Sequence, residues 1–313
     1  MILFAFEAYE AMAAALQKAA HLAPARFSMA RFDNGELNVK IQTPVRGEDC
    51  FILGSCAPPD DRLFSVLLLA HTLKKEGAHR VTAILPYLAY ARHDKNKPGE
   101  SLTTAWLGAV AKASGIGIVI TADLHSERAR KLFAIPVASL SPAPLFAEAL
   151  AQFGLKHAAI VAPDQGAIAR CEDLKKAAAM PQGAVPYFEK RRTAAGILHG
   201  SLFGNVGREV VLVDDILDTG GTLISACKRL REARVDEITV MVTHALFTGE
   251  RWKNLWRLGV KRIFCTDSLP RHADSKEGRI VRLSAVPLLE QELHTLVLAA
   301  PKTESAGSLS GRP

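Results

Sequence analysis

The stretch Val210-Val211-Leu212-Val213-Asp214-Asp215-Ile216-Leu217-Asp218-Thr219-Gly220-Gly221-Thr222-Leu223 decides how this chain is read. Four consecutive apolar residues predict a strand buried on both faces in a parallel sheet, and Leu223-Ile224-Ser225-Ala226 predicts the start of a helix. Between them lie two acids and then Asp218-Thr219-Gly220-Gly221-Thr222. A turn with two glycines and two hydroxyls at a helix N-terminus turns backbone N–H groups toward an anion, and the helix dipole favours a phosphate there. Asp214 and Asp215, at the carboxyl end of the strand, can accept hydrogen bonds from sugar hydroxyls beside that phosphate. One segment thus offers a phosphate cradle and a diol clamp, which together suit a phosphorylated ribose.

Bulk properties agree with a small, anionic ligand. At 313 residues, 49% hydrophobic and 23% charged, the chain is globular and long enough for about two domains. No apolar run reaches the roughly 18 residues of a membrane span. The opening MILFAFEAYEAMAAALQKAA has no basic leader and carries acids, so it does not read as a signal peptide. The cysteines at 50, 56, 171, 227 and 265 form no C-x-x-C pair, which argues against a zinc site or a disulfide framework and fits a reducing cytoplasm. The net charge of +7 suits anionic partners. With aromatics at 6% and no basic run longer than Lys190-Arg191-Arg192, phosphorylated metabolites fit that charge better than nucleic acid does.

Strand and helix signals alternate along the chain, predicting an α/β class with mainly parallel sheets flanked by helices. The two halves also align. Gly47 to Leu53 corresponds to Gly207 to Val213, VTAILPYL from Val81 to ITVMVTHAL from Ile238, and GIGIVITAD (115–123) to GVKRIFCTD (259–267). A tandem repeat of one α/β domain follows, with domains at 1–143 and 144–300 and a polar tail at 301–313 whose composition predicts disorder. The differences between the halves carry information. After its strand the first half has Gly54-Ser55-Cys56-Ala57-Pro58-Pro59, which lacks the acids and glycine cradle and should not hold phosphoribose. It carries instead the polar insertion Ala91 to Ser101, either a solvated loop or a nucleotide-binding one.

The 210–223 segment resembles the phosphoribosyl-diphosphate loop of the type I phosphoribosyltransferase fold. With the tandem layout, residues 2 to 298 resemble the ribose-phosphate diphosphokinases. RFDNGELNVKI (31–41), LPYLAYARHDK, TADLHS, APDQGA, YFEKRR and VDDILDTGGT stand in that family's order. The resemblance implies two type I phosphoribosyltransferase-like domains, an ATP side formed by the first and a ribose-5-phosphate side by the second. It implies transfer of the diphosphoryl group of Mg-ATP to the anomeric hydroxyl of ribose 5-phosphate, with release of AMP. No Walker A loop is present, so ATP is held otherwise than in P-loop enzymes.

Residue roles follow from the same resemblance. Lys190 and Arg192 are the catalytic pair, neutralising charge that spreads onto the bridging and β-phosphate oxygens. Phe32, Asn34, Gly35, Glu36, Arg92 and His93 bind ATP, Arg92 and His93 across a subunit boundary, with Phe32 either stacked on adenine or simply in the core. Asp214, Asp215, Asp218, Thr219, Gly220, Gly221 and Thr222 bind ribose 5-phosphate. His125 and Asp164 are the Mg2+-side residues, although an imidazole is an unusual ligand for so hard a cation. Sites shared between subunits imply a homo-oligomer, a dimer or larger, with no nucleic-acid or membrane partner.

Asn34 stands where the family has an acid and His93 where it has glutamine. The short KNKPGES loop lacks the serine–arginine element that binds the phosphate activator in the main bacterial and mammalian class. The APDQGA and Glu189-Lys190 segments look more like the shorter, archaeal-type members. Two other readings share the motifs, a catalytically weak regulatory homologue and a nucleobase phosphoribosyltransferase. The first half, complete with FDNGE, YARHD and DLH, argues against the latter.

Overall fold

The computed structural model describes residues 1–193, 196–270 and 278–298. Two parallel sheets of the same design follow one another. The first contains β1 (Ile2–Ala5), the short edge strand β2 (Ala23–Pro24), β5 (Asp49–Leu53), β6 (Arg80–Ile84), β7 (Ile118–Ala122) and β8 (Val137–Leu140), in the order β2-β1-β5-β6-β7-β8. An antiparallel hairpin of β3 (Phe27–Arg31) and β4 (Leu37–Ile41) is inserted between β1 and β5. Its helices are α1 (Glu10–Ala19), α2 (Asp61–Lys75), α3 (Thr103–Ala113) and α4 (Glu127–Leu132).

The second sheet follows α5 (Ala143–Gln152). It contains β9 (Ala159–Val161), β12 (Glu209–Leu217), β13 (Glu237–Ala245), β14 (Val260–Thr266) and β15 (Ile280–Leu283), ordered β15-β14-β13-β12-β9. Between β9 and β12 lie α6 (Ile168–Ala177) and a second antiparallel hairpin, β10 (Tyr187–Thr193) with β11 (Gly196–Phe203). Helices α7 (Gly221–Glu232), α8 (Asn254–Arg257) and α9 (Val286–Leu298) complete it. Strand for strand, β1-β5-β6-β7-β8 corresponds to β9-β12-β13-β14-β15, so the repeat read from the sequence is a repeat of topology, inserted hairpin included.

The apolar runs behave as both-faces-buried strands should. In β12, Val210 and Leu212 point into one core with Leu223 and Leu230 of α7, while Val211 and Val213 point into another with Phe146 and Leu150 of α5. In the first sheet, Ile52 faces α2 through Leu69 and Leu73, whereas Phe51 and Leu53 face Leu16 of α1. That second face also takes Leu289 and Leu293 of α9, so the last helix of the chain folds back onto the first sheet. One boundary differs from expectation. The strand does not end at Val213 but runs to Leu217, because pairing with β13 continues from Asp214↔Val242 to Leu217↔Ala245. Asp214 and Asp215 therefore sit in the second half of a strand, on a rigid backbone.

Candidate active site

The carboxyl ends of the two sheets face each other, and the chemistry-bearing residues collect along that seam. On the second sheet, β12 hands over to Asp218 and Thr219, and α7 begins at Gly221 with Gly220 in a left-handed conformation at φ +83°. Only glycine adopts that conformation cheaply, and a Cβ at Gly220 would lie 2.9 Å from Trp252 Cα. Gly221 differs: nothing lies within 4 Å of where its Cβ would point. Among the described residues no side chain caps the start of α7. The turn thus leaves an open space in front of unpaired helix N–H groups, as an anion cradle requires.

Behind the cradle lie Asp214, partly buried, and Asp215, buried. Burial and then the neighbouring Asp215 charge hold the Asp214 carboxyl well above the usual carboxylate range, and Asp164 adds to the same effect. Burial also pushes Asp215 upward, but a hydrogen bond from His125 and the charge of Arg170 outweigh it, leaving this carboxyl well below the usual range. His125 donates from Nδ1 to Asp215 Oδ2 at 2.6 Å. Adjacent acids are thereby split into one that favours its proton and one held ionised.

The first sheet contributes two loops. After β6, Tyr90 takes a left-handed backbone (φ +63°), and Thr103 Oγ1 and Thr104 Oγ1 donate to its carbonyl at 2.8 and 3.1 Å. Thr104 also donates to the His93 carbonyl at 3.0 Å, and the buried Asp94 accepts from Ser126 Oγ at 2.5 Å. So held, Arg92 extends to Asp218 Oδ2 of the same chain at 3.2 Å, while the His93 side chain is exposed. The second loop follows β7 and carries Asp123 and His125. Asp123 accepts three contacts of 2.8 to 3.0 Å from Arg170 Nε and Nη2 and another from Thr243 Oγ1. Neither Asp123, Arg170 nor Thr243 stood out in the sequence. The only hint was that the aligned strands β7 and β14 are each followed at once by an aspartate.

Asp164 accepts from the Gly166 N–H at 2.9 Å at the start of the turn before α6. Among the described residues no group of three or more His, Cys, Asp or Glu side chains is placed to hold a metal by itself. The donor set still fits Mg2+, a hard cation that takes one or two carboxylates and leaves its other positions to water and substrate phosphates. Asp164 supplies such a carboxylate, beside acids whose mutual repulsion a cation would relieve.

The remaining expected residues lie elsewhere. Phe32, Asn34, Gly35 and Glu36 form the tip of the β3–β4 hairpin. There Gly35 N donates to the Phe32 carbonyl at 2.7 Å and Glu36 N to Asn34 Oδ1 at 3.1 Å. Phe32 is 56% exposed, which removes the core alternative. Arg31 ties the tip down through the Gly35 carbonyl and Asp61, both at 2.6 Å, beside a cavity of about 460 Å³ lined by Glu36, Leu37 and Phe64. No hydrogen bond or ion pair among the described residues joins this tip to Arg92 or to the 218–222 turn. Lys190 and Arg192 fall on β10, opposite His199 and Ile197 of β11, and their side chains lie outside the described residues.

Comparison with known proteins fits this layout. Residues 1–115 match the family model for the N-terminal domain of ribose phosphate pyrophosphokinase, and residues 142–269 match the phosphoribosyl transferase domain. A ribose-phosphate pyrophosphokinase of Haemophilus influenzae is 32% identical over 295 residues, covering 91% of this chain and 92% of that protein. The chain belongs to the ribose-phosphate pyrophosphokinase family. Another member, from Vibrio parahaemolyticus, is 31% identical over 302 residues, with 95% of this chain and 96% of its own length aligned. The crystal structure of phosphoribosylpyrophosphate synthetase from Mycobacterium smegmatis superposes with a TM-score of 0.84 at 26% identity, over 96% of this chain and 99% of that one. Family membership therefore extends over both sheets and the seam between them.

Proposed function

We propose that this enzyme transfers the diphosphoryl group of ATP to the C1 hydroxyl of ribose 5-phosphate, giving 5-phosphoribosyl 1-diphosphate and AMP. The observation that carries this reading is the Arg92–Asp218 contact, which brings the loop after β6 to the cradle at the start of α7. In that arrangement the cradle of Asp218, Thr219, Gly220, Gly221 and Thr222 takes the 5-phosphate. Asp214 and Asp215 take the ribose hydroxyls, their carboxyl oxygens accepting hydrogen bonds from them. Arg92 and His93 then point at the ATP phosphates.

Transfer of this kind needs alignment and neutralisation of charge on phosphate oxygens more than covalent help from the protein. Lys190 and Arg192 supply positive charge toward the bridging oxygen, and Mg2+, when bound on the His125–Asp164 side, neutralises charge on the diphosphoryl oxygens. A second copy of the chain contributes its Phe32–Glu36 hairpin tip to the nucleotide, since among the described residues that exposed tip makes no hydrogen bond or ion pair with the seam of its own chain. The setting is the cytoplasm, supported by five cysteines that are all free thiols. Among the described residues no helix is long and apolar enough to cross a membrane.

The test is direct. With Mg-ATP and ribose 5-phosphate, AMP and phosphoribosyl diphosphate should form in equal amounts; ADP in their place would overturn the diphosphoryl step. Lys190→Ala should reduce kcat by about a thousandfold or more while ribose 5-phosphate still binds. A wild-type protein that binds the sugar phosphate yet turns over nothing would favour the regulatory reading instead.

A further inference from the structure

Two groups of the β7–α4 loop cross the seam to the second sheet. His125 reaches Asp215 on β12, and two residues earlier Asp123 is gripped by Arg170 of α6. The Arg170 grip is the more elaborate of the two. Nε contacts both carboxylate oxygens at 3.0 and 2.8 Å, Nη2 contacts Oδ1 at 2.9 Å, and Thr243 Oγ1 donates to Oδ2 from β13. The two side chains are only 14% and 10% exposed. Arg170 Nη2 also stands 3.9 Å from Asp215 Oδ2, the same oxygen that accepts from His125.

A buried ion pair is weak evidence for stability, because desolvating both charges offsets their attraction. Its geometry is a different matter. A planar guanidinium with two parallel contacts fixes the position and orientation of the carboxylate it holds. Asp123 has φ +40°, a backbone conformation costly for a non-glycine residue and kept only where surroundings over-determine it. Two peptide units then separate Asp123 from His125, so the grip at 123 limits where the imidazole at 125 can stand.

We propose that Arg170 is a positioning residue for the reaction: by clasping Asp123 across the seam, it fixes the β7–α4 loop, and His125 with it, in register with the sugar-phosphate side. The inference rests on the proposed diphosphoryl transfer. It assigns Arg170, Asp123 and Thr243 one joint task, the alignment of two substrates held by different sheets. The cradle at 218–222 belongs wholly to the second sheet and does not depend on the clasp. Loosening it should therefore affect turnover more than binding of ribose 5-phosphate.

The experiment measures kcat and KM for ribose 5-phosphate per folded site in Arg170→Lys, which keeps a charge beside Asp215 but loses the fork. Arg170→Lys should lower kcat between about tenfold and a hundredfold. Its KM for ribose 5-phosphate should stay within about threefold of wild type. Asp123→Asn should match it, and the double variant should be hardly worse than either single one, since both disable one unit. Arg80→Lys is the control: Arg80 forks onto Asp49 at 3.0 and 2.6 Å at the opposite, amino edge of the first sheet, and kcat should not move.

An unchanged kcat in Arg170→Lys, losses that multiply in the double variant, or an equal loss in Arg80→Lys overturns the proposal. Should Arg170→Lys not fold, Thr243→Val removes one hydroxyl from Asp123 and should still cost about threefold in kcat at unchanged KM; wild-type kcat there overturns it equally. Wild-type protein that makes no phosphoribosyl diphosphate defeats the functional reading itself. An active wild type with an indifferent Arg170 defeats only this inference.

Discussion

The same place in the two sheets, the turn after the second strand of the repeat, is built in opposite ways. In the first sheet it is Gly54 to Pro59, whose side chains are tied into the protein's own structure. Ser55 Oγ accepts from Ala57 N at 3.1 Å, Cys56 Sγ accepts from Ala89 N at 3.2 Å, and a Cβ on Gly54 would lie 2.9 Å from Phe6 and Val66 side-chain atoms. In the second sheet it is the strand end from Asp214 and the turn Asp218 to Thr222, with repelling acids, a helix start that no side chain caps among the described residues and a glycine facing open space. One scaffold closes the turn into its core, and the other leaves it unsatisfied for a ligand. The inserted hairpins diverge likewise: that of the first sheet presents Phe32 and Glu36 at an exposed tip, and that of the second carries Lys190 and Arg192 along a strand.

The two glycines of the second turn offer the sharpest way to break this comparison. Gly220→Ala forces a left-handed alanine against the Trp252 backbone and should destabilise by about 2 kcal/mol or more, with loss of ribose 5-phosphate binding. Gly221→Ala meets nothing and replaces glycine at a helix start, so melting of the unliganded protein should be unchanged or up to about 1 kcal/mol better. Its methyl group intrudes on the cradle, however, and sugar-phosphate affinity should fall about tenfold. Calorimetric titration alongside thermal melts reads both. If Gly221→Ala binds as tightly as wild type, the open space is not reserved for a phosphate.

Much of the contrast was legible in the sequence, since acids, hydroxyls and glycines in a fixed order after an apolar run have a local cause. That the two halves repeat one α/β plan was legible through the alignment of Gly47 to Leu53 with Gly207 to Val213, although the order of the strands was not. What could not be read were the contacts that join distant segments. Arg92 meets Asp218 across 126 residues and Asp123 meets Arg170 across 47, and neither spacing leaves a periodic trace. The hairpins were hidden too. The strands of the first, Phe27–Arg31 and Leu37–Ile41, are five residues each with no buried position, so they lack the apolar run that betrays a buried strand. The extension of β12 to Leu217 was missed because two aspartates interrupt its apolar run.

A smaller effect sharpens the electrostatic half of the comparison. Where Asp214 stands, the first sheet has Gly54. Burial and the Asp215 charge raise the Asp214 carboxyl above its unfolded value, so the folded protein binds that proton more tightly than the unfolded chain. The stabilisation is complete below the ordinary carboxylate range and is lost as pH rises through the raised folded value. Asp214→Asn keeps an oxygen for the Asp215 N–H and removes the repulsion. The variant should therefore gain stability relative to wild type as pH is raised, while affinity for ribose 5-phosphate drops. Melting curves from pH 5 to 9 decide it, and a gap that stays constant or shrinks with pH would count against a raised Asp214.

The smallest effect tests the edge where the sheets agree. At its amino end each second strand begins with an acid facing a histidine: Asp49 with His79 at 2.8 Å, and Glu209 with His157 at 2.6 Å. None of the residues assigned to either substrate lies at this edge, so Asp49→Asn should alter stability alone. Hydrogen bonds from Arg80 hold the Asp49 carboxyl down to about 2, and its stabilisation is complete above the ordinary carboxylate value and fades as pH falls toward 2. Because Arg80 is largely exposed, the loss at pH 7 should be about 1 kcal/mol or less. In urea titrations the deficit of Asp49→Asn should be visible at pH 6 and narrower at pH 3, with kcat unchanged throughout. A kcat that falls with this substitution would mean that the amino edge, too, communicates with the seam, and that the two sheets differ in more than the turns at their carboxyl ends.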